Sequence, residues 1–508
     1  MTELTTNTNK GIVVRADLVL PPENTSPSLT TLLNNSEAFF HSSLFNPPLY
    51  TLLPDTMLIK NAPISDQQKI VDYAKSTKIL VSSRLLPLIQ DFLTFKQHYG
   101  SSIEISLYQH MTPIQFIQRL FIKRPLTFMT FNDFTKLRNG MILQDGRDAW
   151  DRVGTEYEFP YLSFRDYLSY DEMTISALIG VSSFTHYIND GHRYNNGEKS
   201  SSSHLKYGVL VGLVGPRFER EYRMESLYLI EKTNLNFAHD SNHNLNSPSL
   251  DYHKIRPYRK SPKFEFESLQ NIWSKFYDSH HNNNDNKNKN SNDKKDRVIK
   301  VPLSQQSQHQ DQTTTLFNVS RYKFRIQISL ETLFMHAHQR GIESNQKVHV
   351  NIVGLGLGVW SIPTLKSKQI EWYIEATLDA YQNYSNSLLS PSITPTTTSS
   401  SNIEKITFAW IQKPENLSIN LPSIFHFAQR NPASIDPDII TSNRNNNNNI
   451  LVVCTYAWDG NSFPGNEVWI GSLNGSGDPA AIVCSNVGEL QNPYINPAIQ
   501  IEIVNIKS

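Results

Sequence analysis

Apolar positions along the chain fall into two rhythms. "KYGVLVGLVG" (206–215) is almost continuously apolar, as a strand buried on both faces would be. "KVHVNIVGLG" (347–356) alternates and then breaks into glycines, and "IEKITFAWIQ" (403–412) and "NILVVCTYAW" (449–458) predict two further strands. Between them, Ile370, Tyr373, Ile374, Thr377, Leu378 and Tyr381 recur at helical spacing within 365–383. Strand, glycine loop, helix, strand is the order of an α/β sheet with crossover helices. Upstream, "MTPIQFIQRLFIKR" (111–124) predicts an amphipathic helix and "PLTFMTF" (125–131) a short strand, and the N-terminal part reads as mainly helical.

Three polar stretches interrupt this pattern: 280–297, rich in Asn and Lys, the Ser/Thr/Pro segment 390–402, and the asparagine run 441–449. They hold too little apolar surface to order themselves and read as disordered loops spliced into one unit, since long loops add little closure entropy. At 508 residues, length allows a sizeable core. Lys+Arg and Asp+Glu are equal at 47 each, which offers no broad electrostatic case for nucleic acid or an anionic membrane. No window approaches the ~18 apolar residues of a membrane span, and the start of the chain lacks the pattern of a secretory signal. Cys454 and Cys484, in apolar or small-residue surroundings, read as buried reduced thiols, so a cytoplasmic protein is expected. Its histidines are scattered and no His/Cys/carboxylate set has metal-ligand spacing, so no metal is expected.

The candidate chemistry sits in two loops. In "VGLGLGVWSIPTLKS" (353–367), Gly354, Gly356 and Gly358 let backbone N–H groups approach a ligand, and a following helix start favours a phosphate or diphosphate. The dinucleotide fingerprint and the lysine-containing P-loop are both absent, and a tight strand-to-helix turn that binds nothing accounts for the same letters. "YAWDGNSFPGNEVWIGSLNGSGDPAA" (456–481) carries Asp459, Glu467 and Asp478 directly after an apolar strand. Asp459 falls at a strand end, where α/β sheets keep their sites, although an Asx turn with Gly460 explains it equally. Asp478 before Pro479 also fits a helix N-cap. "GPRFEREYRMES" (215–226) reads as a surface salt-bridge cluster, in which Arg217 and Phe218, following a buried strand, line a pocket where Phe218 could stack on a ligand ring. Asp171 and Glu172 read as acids offsetting the dipole of a helix first turn.

The strand, glycine loop and helix together resemble the second ligand loop of macrodomains, which wraps the diphosphate of ADP-ribose. On that resemblance Gly356, Leu357, Gly358, Val359 and Trp360 fill the loop, with Trp360 over the distal ribose. "THYINDGHRYNNG" (185–197) resembles the macrodomain segment ending in "VNAAN", which places Asn189 and Asp190 near that ribose, although a polar turn after a strand is the plainer reading. Together with "GTEYEFPYLSFRDYLSYDEMTISALIG" (154–180) and the acidic loop, these segments are similar to the MavL-like family over about 105–500. The resemblance implies a divergent macrodomain, a mixed sheet flanked by helices, preceded by a mainly helical region (1–104) and followed by a tail (501–508). It implies removal of ADP-ribose from arginine by Asp459, Glu467 and Asp478, ADP-ribose or an ADP-ribosylated protein as partner, and no cofactor. Carboxylates near the ribose C1 suit the oxocarbenium character of N-glycoside cleavage. A reader that binds ADP-ribose without cleaving it and a scaffold whose loops are structural are the alternatives. A glycosidase of free sugars would leave the glycine loop unexplained.

Overall fold

The computed structural model describes residues 18, 20–21, 27–129, 132–200, 204–234, 252–279, 298–301, 313–389, 401–415, 417, 419–429, 431, 433–434 and 450–506. The insertions expected at 280–297, 390–402 and 441–449 lie outside the described residues, 401 and 402 excepted.

An eight-stranded sheet carries the architecture, in the order Phe425–Ala428, Ile403–Ala409, Lys347–Ile352, Ile450–Ala457, Tyr207–Leu213, Gly180–His186, Lys78–Ser82, Gln500–Val504. Neighbours run parallel except around Gly180–His186, which opposes both of its partners. The result is a large mixed sheet flanked by helices. The continuous apolar run in Tyr207–Leu213 follows from burial on both faces. Val209, Val211 and Leu213 share a core with Phe334 and Tyr373 of helices Val319–Ser344 and Lys366–Leu389. Leu210 points the other way, into a core with Ile117 and Leu120 of helix Pro113–Ile122. The neighbouring strand divides in the same manner, with Leu451 and Val453 on the first side and Val452, Cys454 and Tyr456 on the second.

Both ends of the described chain depart from the sequence expectation. The N-terminal region holds helices Leu29–Phe40, Gln67–Lys75 and Leu85–Tyr99, but Lys78–Ser82 between them is a strand of the main sheet. The segment after 500 is not a tail. Gln500–Val504 pairs in parallel with Lys78–Ser82, and Ile501 and Ile503 pack on the core, an alternation that suits an edge strand with one covered face.

The cluster expected on the surface at 215–226 is instead largely interior: Arg217 and Glu225 are each 1% exposed. Glu225 accepts from Arg217 at 3.0 Å and pairs with Arg325 at 3.1 Å. A second buried network was not legible in the spacing of acids. Lys96 Nζ lies 2.9 Å from Glu104 and from Asp171 and 2.5 Å from Glu265, while Arg256 and Arg259 pair with Asp171 and Glu104. The three carboxylates approach one another as metal ligands do, and the Lys96 ammonium takes the place a cation would hold. Asp171 and Glu172 therefore do more than offset a helix dipole: Glu172 closes a capping box with Ser169 and pairs with Arg119 at 2.6 Å. Among the described residues, no helix is long and apolar enough to cross a membrane.

Candidate active site

Three adjacent parallel strands, Lys347–Ile352, Ile450–Ala457 and Tyr207–Leu213, end at one edge of the sheet. The loops leaving them carry the glycines, the acids and Arg217, in the position where α/β sheets hold ligands. Contacts join the three loops. Val353 N donates to Thr455 Oγ1 at 2.9 Å, at the base of the glycine and acidic loops. Gly215 approaches the glycine loop so closely that a Cβ on it would lie 2.1 Å from the Gly356 nitrogen. Arg217 Nη1 donates to the Asp459 carbonyl at 3.0 Å, and also to Asn461 Oδ1.

The acidic loop gathers its three carboxylates, two buried and one half-buried. Asp459, 5% exposed, accepts from Asn461 N at 2.8 Å, Ser462 N at 3.0 Å and Ser462 Oγ at 2.9 Å, so both its oxygens are used by its own turn. Glu467 lies half-buried in the short helix Asn466–Ile470, and its Oε2 is buried without a partner. Asp478 is 2% exposed. It is not the N-cap of helix Gly477–Val483, a position that Ser476 holds; its Oδ1 accepts from Gly465 N at 2.8 Å and its Oδ2 has no partner. Burial pushes all three carboxyls above their usual range, Asp478 furthest, because the charges of Asp459 and Glu467 add to its desolvation.

A small three-stranded sheet, Thr127–Met129, Phe134–Lys136 and Ile142–Leu143, mounts this loop. Thr127 Oγ1 donates to Asn466 O at 2.7 Å, Phe128 N to Asn466 Oδ1 at 2.8 Å, and Lys136 Nζ to Trp469 O at 2.8 Å. Asn466, with a left-handed φ of 28°, is thereby held just before Glu467. These clamps come from more than 300 positions upstream, and nothing local announced them.

In the glycine loop, Gly356 has φ 72°, and an added Cβ would meet the Pro216 carbonyl at 2.7 Å. Gly354 sits closest to the Leu357 side chain, whereas Gly358 has open space around it. Leu357 packs on one core, Trp360 on the other, and Val359 is 82% exposed. Helix Lys366–Leu389 follows the turn Pro363–Leu365 and starts within one residue of where the helical spacing begins. Phe218 is half-buried against Phe317 and Tyr322, ring centroids 5.5 and 6.1 Å away.

Asn189 and Asp190 follow the antiparallel strand, whose end His186 pairs with Tyr207 at the start of the next strand, so they leave the sheet at the opposite edge from Asp459 and the glycine loop. Their segment nonetheless reaches the end of the acidic loop, where Arg193 Nη2 donates to Gly475 O at 2.7 Å and Asn195 Nδ2 to Ala480 O at 3.0 Å. Asn189 donates to Asn195 Oδ1 and Glu198 O and accepts from Gly191 N; Asp190 accepts from His192 and Asn431. They organise their own turn, and Asp190 also ties it to the segment around Asn431.

A Ser182–His336–Glu502 relay, with 2.8 Å from His336 Nε2 to Ser182 Oγ and 2.9 Å from Nδ1 to Glu502, lies outside this site. Ser182 lies in mid-strand, away from the loops that carry the acids, and the relay ties an edge strand to helix Val319–Ser344.

Residues 48–507 match the model of a family described as ADP-ribosylhydrolase MavL-like. The chain belongs to this family. ADP-ribosylarginine hydrolase CG3568 of Drosophila melanogaster is 29% identical over 449 residues, 87% of this chain and 80% of the relative. ADP-ribosylarginine hydrolase CG2909 of the same fly is 26% identical over 444 residues, 84% of this chain and 78% of the relative.

Proposed function

We propose that this chain is an ADP-ribosylarginine hydrolase built on a divergent macrodomain-like fold. The observation that carries the reading is the gathering of Asp459, Glu467 and Asp478 in one buried loop, on a strand adjacent to the glycine loop. The names of the two fly relatives support it. The backbone of Gly354–Gly358 and its neighbours Leu357 and Val359 would cradle the diphosphate, with Trp360 against the distal ribose and Phe218 on the adenine side.

In the reaction, the C1–N bond between ribose and guanidinium breaks as a water oxygen bonds to C1. The water proton passes to a carboxylate and then to the departing guanidine, and the carboxylates offset positive charge developing at C1. Glu467 Oε2 and Asp478 Oδ2, both without partners, are the atoms assigned to water and guanidinium. Asp459 holds the turn that positions them. The reaction needs no cofactor and fits the cytoplasm, where the buried free thiols Cys454 and Cys484 stay reduced.

The test is release of ADP-ribose from an arginine-modified protein by the purified chain, with Glu467→Gln slowing it at least about 100-fold. A folded wild-type protein that binds ADP-ribose and releases none would end the hydrolase reading. The occupied oxygens of Asp459 favour a second reading, a binder without turnover, which that same outcome selects.

A further inference from the structure

Arg124 was not singled out from the sequence, yet it is wholly buried and belongs to the acidic loop by contact. Its guanidinium lies 4.1 Å from the ring centroid of Trp458, the residue before Asp459, and 5.6 Å from that of Phe121. The carbonyl of Pro125, the next residue, accepts from Phe463 N at 3.0 Å, so backbone and side chain both meet this loop. Nε donates to Leu120 O at 2.7 Å, but Nη1 and Nη2 have no partner. The charge of Asp459 favours this guanidinium, but no acceptor reaches either terminal nitrogen, and a buried donor left without one is costly. Contact with the two aromatic rings cannot replace hydrogen-bond acceptors on both terminal nitrogens. Two carboxylate oxygens of the same loop, on Glu467 and Asp478, are unpartnered as well. A ligand with a cationic guanidinium on one side and oxygen acceptors on the other would satisfy both sets.

We propose that Arg124 is a ligand-binding residue of this site, donating from its terminal nitrogens to ribose or phosphate oxygens in the half of ADP-ribose next to the scissile bond. That half is assigned because Arg124 lies against Trp458 in the acidic loop rather than beside Phe218 or the glycine loop. The inference rests on the ADP-ribose reading above, though not on turnover.

The test is calorimetric titration of wild type, Arg124→Met and Arg124→Lys with ADP-ribose, ribose 5-phosphate and AMP, with melting temperatures measured alongside. Met keeps the stacked stem without charge, and Lys keeps the charge without the fork. Both variants are expected to weaken ADP-ribose and ribose 5-phosphate at least about 10-fold, to leave AMP unchanged, and in the Met form to melt no lower than wild type. Binding of ADP-ribose within twofold of wild type in either folded variant would overturn the proposal, as would a loss confined to AMP or a wild type that binds no ADP-ribose. A wild type that binds but does not hydrolyse, with binding still lost in the variants, removes the hydrolase reading and leaves Arg124 where it is placed.

Discussion

Gly465 and Asp478 close the acidic loop on itself: the glycine N–H donates to Oδ1 of the aspartate at 2.8 Å and leaves Oδ2 buried and unpaired. Burial, reinforced by Asp459 and Glu467, holds this carboxyl well above its ordinary range in the free protein, a shift that a bound guanidinium would oppose. A raised carboxyl contributes fully below its unfolded pKa, and that contribution is lost as pH rises through the folded value. Asp478→Asn keeps an acceptor for Gly465 and removes the charge. It is expected to be about 1–3 kcal/mol more stable than wild type at pH 8, with the gain shrinking toward acid pH, while turnover falls at least about 100-fold. Thermal unfolding across pH, beside the release assay, checks this, and a variant less stable at pH 8 would contradict it.

Gly356 and Gly358 separate fold from ligand. Gly356→Ala forces a left-handed residue against the Pro216 carbonyl and is expected to cost about 1–3 kcal/mol. Gly358→Ala enters open space and should leave the melting temperature unchanged, while weakening ADP-ribose at least about 10-fold if the backbone there lies against the diphosphate. Calorimetric binding together with thermal melting distinguishes the two.

Lys96 neutralises three buried carboxylates at once. Lys96→Met leaves them uncompensated but for Arg256 and Arg259, and is expected to cost about 3–5 kcal/mol. Denaturant unfolding measures it; a loss below about 1 kcal/mol would show that the network relaxes without its centre.

Glu489, 1% exposed, joins helix Val487–Leu490 to the N-terminal region by accepting from Ser36 Oγ and Ile59 N. Burial lifts its carboxyl from 4.5 to about 7. The sign is that of a raised acid: this contribution is complete below 4.5 and lost as pH rises through about 7. Glu489→Gln should therefore match wild type at pH 5 and exceed it at pH 8, by up to about 3 kcal/mol. Unfolding at the two pH values is the check, and a pH-independent difference would refute the titration.

Local rhythm made most elements legible. The strands at 206–215, 347–356, 403–412 and 449–458 were readable because apolar continuity and alternation are properties of neighbouring residues. The helix after the glycine loop and the one ending at Ile122 were readable for the same reason. Lys78–Ser82 and Gln500–Val504 were missed because each is short and they pair with one another across more than 400 positions of chain. The interior position of Arg217 and Glu225 was missed because charge composition suggests a surface until a fold pairs the charges.

The sequence alone determined the alternation of strands and helices and the crowding of Asp459, Glu467 and Asp478 into one loop, since both depend on residues close together in the chain. Only the tertiary structure decided which edge of the sheet each loop leaves. A strand's direction is not written in its alternation; it is set by the neighbours it pairs with. That choice set the glycine loop beside the strand that leads into the acids, brought Arg217 to the Asp459 carbonyl, sent Asn189 and Asp190 out of the sheet at its other edge, and left Arg124 against Trp458 with its terminal nitrogens unpaired.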